Sequence, residues 1–101
     1  MKNLQNYYKL FIGTNDGVTG KPLNFAKCKK EIIKIVGYYV GGFTISKAIG
    51  YWQGVEEVSI IVEIINELNL DFLIESIKKE ICKKLHQNCI LSIKNAVFAE
   101  F

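Results

Sequence analysis

The 101-residue sequence contains no arginine: all 13 of its basic residues are lysine, set against 10 Asp and Glu for a formal charge of +3. A guanidinium grips phosphate or carboxylate through two parallel N–H bonds. A chain without one must meet anions through lysine point charges, hydroxyls and backbone N–H groups. Proline and histidine each occur once, at Pro22 and His86. The three cysteines, Cys28, Cys82 and Cys89, are odd in number and show no CxxC spacing, so buried reduced thiols are expected. One His and scattered thiols argue against a structural zinc site and a Ser/His/Asp triad, and no metal or cofactor is expected. No apolar run is long enough to cross a bilayer, and residues 1–6 lack the apolar core of an export signal. The expectation is a cytoplasmic chain, in the host cell cytoplasm if the source is viral.

Half of the residues are apolar and the charged fraction is ordinary, which excludes disorder and predicts one globular domain over residues 1–101. Lys, Ile and Asn together make up 36 of the 101 residues, a bias that A/T-rich codons produce without selection on the protein. The nearest thing to a nucleic-acid footprint is Lys27, Lys29, Lys30 and Lys34. On a helix these form the solvated side opposite an apolar stripe, so nucleic-acid binding is disfavoured.

Residues 7–14 alternate, with Tyr8, Leu10 and Ile12 on one side, the period of a half-buried strand. Phe25, Cys28, Ile32, Ile35 and Val36 then recur at helical spacing over about 24–37, with Asn24 as N-cap and Gly37 as the stop. Runs 43–53 and 55–65 read as a hairpin turning at Gln53-Gly54. Asp71 is expected to cap a second helix with the stripe Ile74, Ile77, Ile81 and Leu85, and with outer pairs Glu75–Lys79 and Glu80–Lys84. A last strand covers 89–98. The order predicts an α+β, ferredoxin-like β-α-β-β-α-β fold, a four-stranded antiparallel sheet with two helices on one face.

Such a fold leaves one sheet face bare. With the helices over Leu10, Ile60, Val62, Leu91 and Ile93, that face would hold Lys9, Phe11, Glu57, Ser59, Glu63, Ser92 and Lys94. Phe11, Ile65 and Val55, with Ala48 or Trp52, make it too apolar for easy solvation, and a homo-oligomer, trimer or dimer, is expected.

Two segments carry more glycine and polar character than architecture requires. The loop Gly13-Thr14-Asn15-Asp16-Gly17-Val18-Thr19-Gly20 could turn backbone N–H groups and hydroxyls toward an anion, although an ordinary turn has the same composition. The hairpin Gly50-Tyr51-Trp52-Gln53-Gly54-Val55-Glu56-Glu57 could stack an aromatic ring on a base while carboxylates accept from a ribose or amino group, or its rings could plug a core end or an interface. His86-Gln87-Asn88 could supply a polar contact or a weak base, or complement the helix dipole.

Leu10-Phe11-Ile12-Gly13 and Gly42-Phe43-Thr44-Ile45, with Ala48, Gly50 and Trp52, resemble a group of small phage and bacterial ferredoxin-like proteins. A second resemblance, carried by Tyr51 or Trp52, Glu56-Glu57 and Cys89-Ile90-Leu91, is to the phage S-adenosylmethionine lyases, although the hairpin here is several residues shorter. Those lyases resemble trimeric PII-like proteins, and the likeness implies an adenine-containing ligand held between subunits. Three readings follow. In the first, a phage-type oligomer sequesters a nucleotide-derived signal or cofactor as an anti-defence sponge. There Tyr51 and Trp52 stack on the base while Thr14, Asn15 and Lys47 meet phosphate or ribose. In the second, a lyase-like enzyme uses Glu56 or Glu57 to orient a sulfonium substrate, with Tyr51 at the reacting centre. The third is an interaction domain without ligand. The thin catalytic inventory favours the first, and the lack of arginine favours a ligand with one or two phosphates, or a cationic adenosyl compound.

Overall fold

A computed structural model of the chain describes residues 2–100. The elements are β1 (Lys2–Gly13), α1 (Phe25–Tyr39), β2 (Thr44–Trp52), β3 (Val55–Asn66), α2 (Asp71–Leu85) and β4 (Leu91–Glu100). The strands form one antiparallel sheet in the order β2-β3-β1-β4, with both helices packed on one face. This is the ferredoxin-like arrangement that the sequence predicts. Among the described residues, no helix is long and apolar enough to cross a membrane.

The central strand, β1, organises the core. Tyr8, Leu10 and Ile12 lie opposite Ile64, Val62 and Ile60 of β3 and are buried with them. Cys28, Ile32 and Val36 of α1 and Ile74, Ile77, Ile81 and Leu85 of α2 close the same cluster. Each such aliphatic side chain removed from water stabilises the fold by about 1.5–3 kcal/mol. β1 begins well before residue 7, because β4 runs to Glu100 and pairs with it from Lys2↔Glu100 to Phe11↔Leu91. Pairing across the sheet thus extends a strand that local alternation does not announce.

One end of each helix differs from expectation. Asn24 caps α1 as predicted, its side chain accepting from the Lys27 N–H at 3.0 Å. The helix nevertheless continues through Gly37 to Tyr39, since Gly37 does not adopt positive φ, and buried Val40 ends it by donating its N–H to the Val36 carbonyl. In α2 Asp71 is the first helical residue, not the cap; Leu70 holds the cap position without a side-chain bond. The Asp71 carboxylate is drawn elsewhere, to the Tyr8 hydroxyl and Lys94 Nζ, each at 2.8 Å. The outer pairs also re-form: Lys78, not Lys79, meets Glu75, at 3.6 Å, and Glu80 accepts from the Tyr39 hydroxyl at 2.9 Å. Glu75 thus exchanges one weak intrahelical partner for another, three residues away, whereas Glu80 is drawn to a partner on α1.

The largest correction concerns β4. Ser92 lies opposite Leu10 and Lys94 opposite Tyr8, so both point toward the helices, while Leu91, 63% exposed, and Ile93, 47% exposed, face the open side. The cause is α2, which supplies a partner for each polar residue: Lys78 Nζ donates to Ser92 Oγ at 2.9 Å and Asp71 holds Lys94. Ile90, just before the strand and of the same parity, takes the buried apolar position. Cys89 therefore precedes the strand and is exposed, Cys82 is half-buried, and only Cys28 is a buried thiol.

The Tyr8 hydroxyl accepts the Leu70 N–H at 2.8 Å while donating to Asp71. Tyr8→Phe leaves that buried N–H without an acceptor, and urea denaturation is expected to show a loss of about 1–3 kcal/mol. A loss below a few tenths of a kcal/mol contradicts this account of the α2 start.

Candidate functional site

β1 ends at Gly13, opposite Ser59, so residues 49–58 of the β2–β3 hairpin extend past it without a third strand. The hairpin closes at Gln53 and Gly54, with φ of 51° and 80°, both left-handed as a two-residue type I′ turn requires. Strand register then sorts the arm's side chains. Lys47, Ile49 and Tyr51 share the helix side with Glu56 and Val58. Ala48, Gly50 and Trp52 share the open side with Val55, Glu57 and Ser59.

On the helix side the Tyr51 hydroxyl donates to Glu56 Oε1 across the strands at 2.8 Å, with Tyr51 70% exposed. Lys47 is nearer the body, its Nζ 4.6 Å from the centroid of the Phe25 ring at the start of α1. On the open side Trp52, also 70% exposed, stands opposite Val55. Tyr51 and Trp52 therefore project to opposite sides of the arm and cannot clamp one base between them within a single chain.

Glu57 turns toward the loop. Its Oε2 accepts the Asn15 N–H at 2.8 Å, and a Cβ on residue 13 would overlap the carboxylate. Gly13 is thus the seat of Glu57, a role that sequence reasoning missed because glycine at a strand end also reads as a simple stop.

The glycine-rich loop does not offer the free donors expected of it. The Thr14 N–H and hydroxyl both go to the Val58 carbonyl, at 3.2 and 2.7 Å. Asp16 N–H reaches the Lys21 carbonyl and Gly17 N–H the His86 carbonyl. Val18 and Thr19 donate to Asp16 Oδ1, Gly20 to the Asp16 carbonyl, and Lys21 to Thr19 Oγ1. Every backbone N–H from Thr14 to Lys21 has an internal acceptor, so the loop is a closed structural unit and not an anion cradle. His86 and Gln87 hold it against the end of α2: His86 Nδ1 lies 3.0 Å from Asp16 Oδ2, and Gln87 Nε2 donates to the Asn15 carbonyl at 2.6 Å. The two loop N–H groups and the imidazole keep the Asp16 carboxyl below the ordinary aspartate range.

The open sheet face carries one further polar pair. The Tyr7 hydroxyl donates to Glu63 Oε2 in a recess of about 330 Å³ bounded by Phe43, Thr44 and Ile65. The carboxylate raises the Tyr7 phenol above its usual value, so it stays a neutral donor. Ile65 at this recess, with Phe11, Leu91 and Ile93 elsewhere on the same face, leaves the face more apolar than expected. Among the described residues, no group of three His, Cys, Asp or Glu side chains could hold a metal ion.

The structure thus joins Tyr51 with Glu56 and Asn15 with Glu57, but leaves Lys47, Trp52 and Thr14 apart from both pairs. An α+β sandwich with a projecting β2–β3 arm is the class that this geometry defines. No protein-family model and no curated protein sequence matches the chain. Among solved structures, a phage SAM lyase in its apo state superposes with a TM-score of 0.68 at 18% identity, over 95% of this chain and 90% of the lyase. A phage SAM lyase in complex with S-methyl-5′-thioadenosine gives 0.61 at 15% identity, over 96% and 90%. A DUF3240 family protein from Shewanella baltica OS155 gives 0.65 at 12%, over 95% and 93%. The chain has the fold of these proteins and resembles the phage SAM lyases along nearly its whole length.

Two outcomes follow. Gly13→Ala and Glu57→Ala are each expected to speed amide hydrogen exchange at Asn15 by about tenfold, since both remove the carboxylate from that N–H; unchanged exchange in either contradicts the seat described. Asp16 has its folded pKa below its unfolded one, so it adds stability above the ordinary aspartate range that is lost as pH falls through the folded value. Asp16→Asn keeps an acceptor for the turn but does not titrate, and its Tm should fall less steeply as pH drops below about 4. Parallel acid limbs in the two proteins contradict that assignment.

Proposed function

We propose that the chain binds a cationic adenosyl ligand of the S-adenosylmethionine type on the β2–β3 arm of a homo-oligomer. The observation that carries this reading is the donor and acceptor balance of the candidate residues. The loop has no free N–H for phosphate, and Lys47 is the one cation among the candidates. What remains on the arm is a phenol bound to a carboxylate, a second carboxylate and an exposed indole. Carboxylates attract a sulfonium or ammonium centre, and an aromatic ring stacks on adenine. Phosphorylated signals, one of the ligand classes that the sponge reading allows, find little to hold them.

The roles divide by side of the arm. Glu56, oriented by Tyr51, meets the sulfonium or the amino group. Trp52, on the other side, meets the adenine of a ligand bound to the adjoining subunit. Such sharing requires self-association through the open face, supported by the apolar side chains of Phe11, Leu91, Ile93 and Ile65 there. The two phage SAM lyase structures of the same fold, one of them in complex with S-methyl-5′-thioadenosine, support the ligand class. Sequestration of the intact ligand is the second reading, favoured by an arm inventory of one phenol and two carboxylates.

The test incubates the protein with S-adenosylmethionine and, separately, with S-methyl-5′-thioadenosine and ADP. Calorimetry is expected to show S-adenosylmethionine binding, weakened at least about tenfold by Glu56→Gln and by Trp52→Ala, with light scattering showing an oligomer. Release of methylthioadenosine identifies a lyase, and recovery of intact ligand after heat denaturation identifies sequestration. Tighter binding of ADP, no adenosyl binding below the millimolar range, or a strict monomer overturns the proposal.

A further inference from the structure

The helical side of the molecule carries a second recess, remote from the open sheet face. A groove of about 700 Å³ runs between α1 and α2, lined by Lys34, Ile35 and Tyr38 on one wall and Lys83, Lys84 and His86 on the other. The α1 wall is in part apolar: Ile35 is half-buried, and the Tyr38 ring, 82% exposed, stands edge-on to Tyr39 at 5.1 Å between centroids. Glu31 and Glu80 also face it, with Glu80 held by the Tyr39 hydroxyl.

Charge is unevenly placed. The two helices hold eight of the 13 lysines and four of the ten acids, a surplus of four positive charges in a chain whose total is +3. Lys78 is engaged by Glu75 and Ser92. Among the described residues, no ion pair involves Lys34, Lys83 or Lys84. At the groove itself Lys34, Lys83 and Lys84 stand against Glu31 and Glu80, so three ammonium groups outside any ion pair flank an exposed aromatic ring.

We propose that this groove docks a partner protein through an acidic segment carrying one apolar anchor. Carboxylates of the segment meet Lys34, Lys83 and Lys84, and the anchor packs on Ile35 and Tyr38. The interleaved Glu31 and Glu80 argue for a peptide over a nucleic acid. A phosphate backbone presents charge continuously and would meet those carboxylates, whereas a peptide can place uncharged residues opposite them. Exposed Lys–carboxylate pairs are individually weak and screened by salt, so the affinity is modest and ionic-strength dependent.

The probe is a fluorescein-labelled peptide of about 12 residues, Glu-rich with a central Trp, read by anisotropy on the full chain with an expected Kd on the order of 10–100 µM at low salt. Its Glu→Gln counterpart should bind at least about tenfold more weakly, and the triple variant Lys34→Gln, Lys83→Gln, Lys84→Gln should lose at least as much. Tyr38→Ala, which leaves the charges in place, should lose about threefold or more. In amide NMR spectra the shifts should concentrate in residues 31–38 and 80–86. Undiminished binding by the triple variant, shifts centred on the open sheet or the hairpin arm, or tighter binding of a dT oligonucleotide of equal length each overturns the proposal. S-adenosylmethionine affinity should be unchanged in the triple variant, which separates this groove from the arm.

Discussion

The buried hydroxyl of Tyr8 is the contact from which much of the arrangement follows. Its ring fills the core from the central strand, and a polar group at that depth requires partners. It finds them at the start of α2, accepting from Leu70 and donating to Asp71. That registers the second helix against β1 and leaves the Asp71 carboxylate at the sheet edge, where Lys94 completes the cluster with its Nζ 5.6 Å from the Tyr8 ring centroid. Asp71 is held below its ordinary range and Lys94 above, each by the other first. Once Lys94 turns inward, alternation sends Leu91 and Ile93 outward. The outward Leu91 and Ile93 thus follow from contacts that the start and middle of α2 make with Tyr8, Ser92 and Lys94, while Phe11 and Ile65 face out by the alternation of their own strands.

The missing arginine has a structural counterpart. Four of the five tyrosines donate to carboxylates: Tyr7 to Glu63, Tyr8 to Asp71, Tyr39 to Glu80 and Tyr51 to Glu56. The phenols of Tyr7 and Tyr39 are raised chiefly by those bonds, and that of Tyr8 chiefly by desolvation. Tyrosine thus orients carboxylates where arginine often would, with one difference. A guanidinium neutralises its partner, whereas a neutral phenol fixes the carboxylate and leaves its negative charge in place. The resulting surface remains attractive to a cation, which is the electrostatic basis for preferring a sulfonium ligand over a phosphorylated one.

Much of this fold was legible in the sequence because its core strands and helix stripes are strongly periodic. Leu10, Ile12, Ile60, Val62 and Ile64 alternate cleanly, Ile74 to Leu85 repeat at helical spacing, and Gln53-Gly54 names its turn. The errors fell where one element's choice depends on another. Leu91-Ser92-Ile93-Lys94 alternates equally well in either orientation, and only Lys78 and Asp71, distant in sequence, decide between them. Gly37 resembled a stop because nothing local shows that Val40 will be buried. The site was half legible for the same reason. Tyr51 and Glu56 are cross-strand partners once the turn is known, whereas the closure of the loop depends on His86, Gln87 and Glu57.

That closure bears on what the arm can do. A loop whose N–H groups were free would be mobile and could close on an anion. This one is fastened at Val58, at Glu57 and at the end of α2, so it acts as a buttress at the root of the arm. Beyond the root, Ile49, Tyr51, Trp52 and Val55 have no third strand beside them and remain exposed. Rigidity at the base and exposure at the tip suit an element completed by a neighbouring molecule. In the proposed oligomer, a ligand at the arm would be selected by which side chains the neighbour brings to Trp52 and Glu56. The chain's own hydrogen bonds settle the scaffold without a ligand, and one scaffold can host different chemistries through the side chains placed on it.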